Sequence, residues 1–166
     1  MPTLATLRRA RRLALRAAAL LAFLPPLLTR LVIGLAFYQT GRGKIANFDG
    51  TVAFFTDLGI PMPELNAAFV SRLEFYGGAL LIVGLLTRFF AAGLLSTMAV
   101  ALLTADKQSF LEALGGSGDT GLTDVVPVVY GLFLLWLVIA GPGKLSLDTL
   151  LAKWIGEEPR TQAATS

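Results

Sequence analysis

Apolar residues gather into four long stretches, residues 25–40, 73–86, 89–104 and 125–140, separated by shorter polar or amphipathic segments. Stretches of about 20 predominantly apolar residues cross a hydrocarbon core of about 30 Å. The last two stretches carry no charge, whereas the first contains Arg30 and the second Glu74. The pattern predicts an all-α fold, a four-helix transmembrane bundle with short amphipathic interfacial helices. An ionisable side chain inside such a stretch is costly unless it pairs, snorkels or meets water, which makes Arg30 and Glu74 the first candidates for function.

Punctuation along the chain sets the expected helix ends. Pro25-Pro26 suits a first turn, where missing backbone donors do no harm, so the first span is expected to start there and end near Gly41. Ahead of it, a basic segment at 7–16 and an apolar one at 17–24 predict a helix over 6–24 lying on anionic headgroups. A cleaved signal is not expected, because Pro25-Pro26 and Arg30 stand where a small-residue cleavage motif would be. From Phe48, apolar residues recur at Val52, Phe55 and Leu58, which predicts a short amphipathic helix capped by Asn47 and stopped at Gly59.

Residues 60–63, Ile-Pro-Met-Pro, then turn the chain, and the short join at 85–88 predicts a helical hairpin. Gly34 and Gly41, Gly77 and Gly84, and Gly93 with Thr97 and Ala101 form small-residue stripes of the kind that lets helices approach closely. Residues 105–123 read as a loop with a flexible Gly-Gly-Ser-Gly turn at 115–118, which lacks the Gly-Lys-Ser/Thr ending of a phosphate loop. Beyond the Gly-Pro-Gly stop at 141–143, Ser146 is expected to cap a last helix with Leu147, Leu150, Leu151, Trp154 and Ile155 on one side.

With 166 residues, 55% of them hydrophobic, the chain is sufficient for one bundle and no separate soluble domain. Three segments are expected: a basic interfacial segment at 1–24, the four-span bundle at 25–143, and an amphipathic helix with its tail at 144–166. Nine of the fourteen Lys and Arg fall in segments that one topology puts on a single side. The net charge of +3 is thus an orientation signal with both termini cytoplasmic, and nucleic acid is not an expected partner. The lipid bilayer is. Without a single cysteine or histidine, thiolate and imidazole ligation of an iron-sulfur cluster, haem or zinc is excluded, so any redox role needs an organic carrier or a metal-holding partner.

Five groups of residues stand at corresponding helix ends: Gly41-Arg42-Gly43-Lys44; Phe54-Phe55 with Leu58-Gly59-Ile60-Pro61; Glu74 with Gly77-Gly78; residues 84–88, Gly-Leu-Leu-Thr-Arg; and residues 141–148, Gly-Pro-Gly-Lys-Leu-Ser-Leu-Asp. In their order and spacing, over roughly 30–148, the chain resembles the DoxX family of small four-helix bacterial membrane proteins. The resemblance implies the bacterial cytoplasmic (inner) membrane and kinship with subunits of quinone-linked oxidoreductases, including thiosulfate-to-quinone enzymes. It also implies a membrane or peripheral redox protein as partner. Family members often carry histidine near the outer end of span one, where this chain has Tyr38-Gln39-Thr40, so a mechanism that needs imidazole does not carry over.

Depth decides which polar residues can meet. Arg30 lies near the cytoplasmic end of its span and Glu74 near the outer end of the next, ~10 Å or more apart at 1.5 Å per residue, so no bridge between them is expected. Arg30 is read first as snorkelling to headgroups, with a buried partner or ligand as the other reading. Glu74 shares its level with Lys44, Gln39, Tyr38, Tyr76 and Asp124. Lys44 is the expected partner, with Asp124 competing for it. Glu74 and Lys44 either join helix ends or belong to a quinone-headgroup site, with Lys44, Tyr38 and Gln39 as donors and Glu74 as proton carrier.

Three function classes follow: a quinone-interacting subunit of a membrane oxidoreductase, preferred here; a non-catalytic anchor or assembly partner; and a small transporter. In each, the purified protein is expected to show no haem absorbance and no iron or zinc at one per chain by metal analysis. A tightly bound equivalent of metal would contradict the ligand inventory.

Overall fold

The computed structural model describes residues 4–116, 119 and 121–156. Residues 117 and 118 of the expected glycine turn, and the tail at 157–166, lie outside the described residues. Among the described residues eight helices follow one another: α1 (Leu4–Leu21), α2 (Leu24–Ala46), α3 (Phe48–Asp57), α4 (Pro63–Val83), α5 (Thr87–Leu103), α6 (Lys107–Gly115), α7 (Val126–Ala140) and α8 (Leu147–Ile155). No strand occurs among the described residues, so the fold is all-α as the periodicity requires.

Several boundaries differ from expectation for local reasons. The basic N-terminal helix ends at Leu21, and α2 opens at Leu24 with its prolines in the first turn. At the other end α2 runs past Gly41 to Ala46, because Gly41 serves as a contact point and not as a stop. Asn47 makes no side-chain cap for α3; Thr51 Oγ1 instead donates to the Asn47 carbonyl at 2.9 Å and to that of Lys44 at 3.2 Å. The segment read as a loop after α5 contains α6, bent 77° from α5. Among the described residues, Leu7–Ala46 is the one run long and apolar enough to cross a bilayer unaided. The bent pair Thr87–Leu103 and Lys107–Gly115 meets the same test only as one broken span, and Val126–Ala140 is apolar but shorter.

Helices α2, α4, α5 and α7 pack in a ring, α2 on α4, α4 on α5, α5 on α7 and α7 back on α2, while α3 lies on α4. The ring closes over Ile33, Phe37, Leu81, Ala91, Leu94, Leu134 and Leu137. Its tightest seam is α2 against α4. A Cβ added to Gly34 would stand 2.9 Å from the Gly78 carbonyl oxygen, and one on Gly41 would stand 2.7 Å from Phe75 Cα. Small residues at such crossings let backbones touch. Of the expected stripe, Gly77 packs close to Phe90 and Leu94 of α5, while it is its neighbour Gly78 that meets α2.

Segments far apart in sequence clasp the α4–α5 turn. Gly84 caps α4 at φ +74°, where a residue with a Cβ would be strained, and its N–H donates to Leu80 O at 2.9 Å. Helix α5 has no cap of its own, since the residue before it is Leu86. Asp148 supplies the cap from 62 residues downstream: its carboxylate accepts from the Leu86 N–H at 2.7 Å and the Thr87 N–H at 3.0 Å, while its own N–H donates to Gly84 O at 2.9 Å. A carboxylate there also opposes the positive end of the α5 dipole. Ser146, in turn, caps α8 as expected, accepting from the Thr149 N–H at 3.2 Å.

Asp148→Ala removes two charge-assisted bonds and is expected to lower unfolding stability in detergent by about 2–4 kcal/mol, with Asp148→Asn losing less. Denaturant or thermal unfolding measures both. Equal stability of all three proteins would exclude the clasp as a structural element.

Candidate functional site

At the α3 end of the ring, α2 and α4 each contribute one charged side chain. Lys44 Nζ lies 2.6 Å from Glu74 Oε1, the ion pair that shared depth predicts. The seam sets this distance: with Gly41 against the backbone of Glu74 and Phe75, the two helices are too close for the side chains to miss each other. Burial is unequal, 32% side-chain exposure for Lys44 against 3% for Glu74. One carboxylate oxygen is neutralised by an ammonium that reaches water, and Oε2 is buried without a hydrogen-bond partner among the described residues. A buried acceptor left open in this way is costly, and it is free to bond to an incoming donor or to hold a proton.

Neighbouring groups divide into those that join the pair and those that do not. Tyr38 stacks on Phe75 with ring centres 4.8 Å apart, and Phe75 meets Tyr76 edge-on at 5.1 Å, an aromatic row beside the carboxylate's helix turn. Ser71, one turn before Glu74, is buried but donates to Ala67 O at 2.6 Å. Gln39 is exposed and makes no side-chain hydrogen bond among the described residues. Asp124 does not compete for Lys44. It accepts from the Gly121 N–H at 2.8 Å, held in the tight turn that leads into α7.

Arg30 corrects the snorkelling expectation. It is 1% exposed and donates through Nη2 to the Leu145 carbonyl at the opposite end of the ring, with Nε and Nη1 unpartnered among the described residues. Residues 143–146 fold across the start of α2, so that Gly143 abuts Pro26, and this cover removes the route to headgroups. The guanidinium packs against Gly84 at the C-terminal end of α4, the favourable place for a cation. Arg30 and Glu74 make no bridge, as their depths require. Asp148 is the residue that the reading of polar groups missed; the sequence offers Thr87 as a local cap for α5, and nothing near it points to a carboxylate 62 residues beyond Leu86.

Comparison with known proteins gives a consistent assignment. The DoxX family model matches residues 26–107. The chain is 32% identical to the Escherichia coli protein named inner membrane protein YphA over 74% of this chain and 86% of that one. To inner membrane protein YqjF of the same organism it is 35% identical over 76% and 92% respectively. A Bacillus subtilis relative bearing the name "Putative oxidoreductase CatD" is 32% identical over 47% of this chain and 57% of its own length. No solved structure matches. With the family model matching residues 26–107 and relatives 32% and 35% identical over most of their own length, the chain belongs to the DoxX family of membrane proteins.

Proposed function

We propose that this protein is a four-span subunit of a quinone-linked redox system in the bacterial inner membrane, with both termini cytoplasmic and a quinone-headgroup site at the α3 end. The spans are α2, α4, α5 and α7, with α1 and α8 as interfacial segments and the bundle at residues 25–143. The observation that carries the reading is the buried Glu74, paired through one oxygen to Lys44 and open at the other. A quinone carbonyl needs a donor, which Lys44 or the Tyr38 hydroxyl supplies, and its reduction needs a proton carrier, which Glu74 supplies. The relatives' printed names, inner membrane protein and oxidoreductase, support the same placement.

The electron donor belongs to a membrane or peripheral partner, since thiolate and imidazole ligands are lacking here. A second reading, a non-catalytic anchor or assembly partner, is favoured by one observation: the open grooves at Pro25–Phe133 and Val83–Leu150 are not lined by Lys44 or Glu74. A transmembrane relay is disfavoured, because the apolar core separates Glu74 from Arg30.

Glu74→Gln keeps the shape of the side chain and removes its charge. Quinone-analogue binding to purified protein, read by fluorescence quenching or mass spectrometry at a temperature where both proteins are folded, is expected to weaken about tenfold or more, with the melting temperature lowered because Lys44 loses its partner. Unchanged binding would sink the quinone site and leave the anchor reading. For topology, single cysteines at Ala10, Thr123 and Ala152 are expected to react with an impermeant reagent from outside only at Thr123. Outside labelling of either end position would reverse the assignment.

A further inference from the structure

We propose that the groove at the start of α8 binds the phosphate of an anionic phospholipid. The groove, about 250 Å³, is lined by Val83 at the end of α4 and by Lys144, Leu145, Ser146, Leu147 and Leu150. Its chemistry is divided as a lipid's is, with one exposed ammonium on Lys144 and apolar walls of Val83, Leu147 and Leu150. A lysine serves phosphate as a point charge, without the geometric demands of a paired fork.

Behind the groove stands a second cation. A Cβ placed on Gly84 would meet both Arg30 Nη1 and, at 2.6 Å, Ser146 Cβ, so the guanidinium lies against the wall that Ser146 forms. Arg30 is 1% exposed, and its Nε and Nη1 have no partner among the described residues. The nearby carboxylate, Asp148, has both oxygens engaged by the Leu86 and Thr87 N–H groups and so faces the α5 dipole. Asp148 thus offsets Arg30, and Lys144 leaves the groove with one net positive charge, which beside a low-dielectric wall attracts an anion more strongly than in water. Free phosphate would satisfy that charge but leave Leu147 and Leu150, 39% and 59% exposed, uncovered. A phospholipid satisfies both, with its acyl chain along the leucines. This site is at the opposite end of the ring from Lys44 and Glu74 and does not depend on the quinone reading.

The test uses the full chain in nanodiscs of zwitterionic lipid with an anionic phospholipid as minority component. A photo-crosslinking residue replaces the exposed Leu150, and the mass of the lipid adduct identifies the headgroup. The anionic lipid is expected about fivefold enriched over its bulk fraction, the factor that one basic side chain near the surface contributes. Lys144→Gln is expected to return the adduct to bulk composition, and Lys144→Arg to keep the enrichment. Neutralising Arg8 and Arg9 on α1 is expected to leave it unchanged, as is millimolar inorganic phosphate. An adduct at bulk composition in the unsubstituted protein, enrichment that survives Lys144→Gln, or displacement by inorganic phosphate would each overturn the proposal.

Discussion

Close approach of α2 and α4 is the constraint on which the rest of the molecule depends. Gly34 and Gly41 of α2 and Gly78 of α4 bring the two backbones into contact, with no room for a Cβ at any of the three. In a bilayer, where lipid tails are as apolar as leucine, helix association cannot draw on the hydrophobic effect and rests on packing of this kind. Both charged sites follow from it. At one end the seam brings Lys44 to Glu74; at the other it lets the start of α2 slide under the α4–α5 turn, so that Arg30 is enclosed and not displayed.

The two ends then use charge differently. At the α8 end, charge serves the backbone: Arg30 holds the Leu145 carbonyl beside the end of α4, Asp148 holds the first N–H groups of α5, and Arg88 Nη2 donates to Ile139 O at 3.2 Å near the end of α7. Arg88 meets a carbonyl at the C-terminal end of α7 and Asp148 meets N–H groups at the start of α5, the arrangement that helix dipoles favour, while Arg30 holds a connecting-segment carbonyl beside the end of α4. At the α3 end, charge is paired side chain to side chain and half of the carboxylate is left open. Removing one partner of a buried pair leaves an uncompensated charge, whereas replacing both by apolar groups is often tolerated. An open, half-paired carboxylate in an apolar ring is what the proposal of chemistry at that end rests on.

Much of this was legible in the residues. Periodicity and punctuation located α3, the hairpin turn and the Ser146 cap, and shared depth paired Lys44 with Glu74. What escaped were contacts that depend on the third dimension. Counting along a helix cannot say whether Gly77 or Gly78 faces α2, because the two lie 100° apart and the answer depends on how α4 is rotated in the ring. Arg30 looked free to snorkel because the cover over it comes from residues 143–146, more than a hundred positions away. Asp124 sits at a depth compatible with Lys44, yet a local backbone N–H captures it first, as short acidic side chains in turns tend to be captured.

The central claim, that the glycine seam sets the Lys44–Glu74 pair, is tested most directly by a double-mutant unfolding cycle on Lys44→Met and Glu74→Gln, performed with Gly78 intact and again with Gly78→Val. With the glycine present, the coupling is expected to be on the order of 1–3 kcal/mol. With valine at 78 the helices must separate and the coupling should fall toward zero. A coupling of the same size in both backgrounds would mean that the pair forms independently of the seam, contrary to the structure's central constraint.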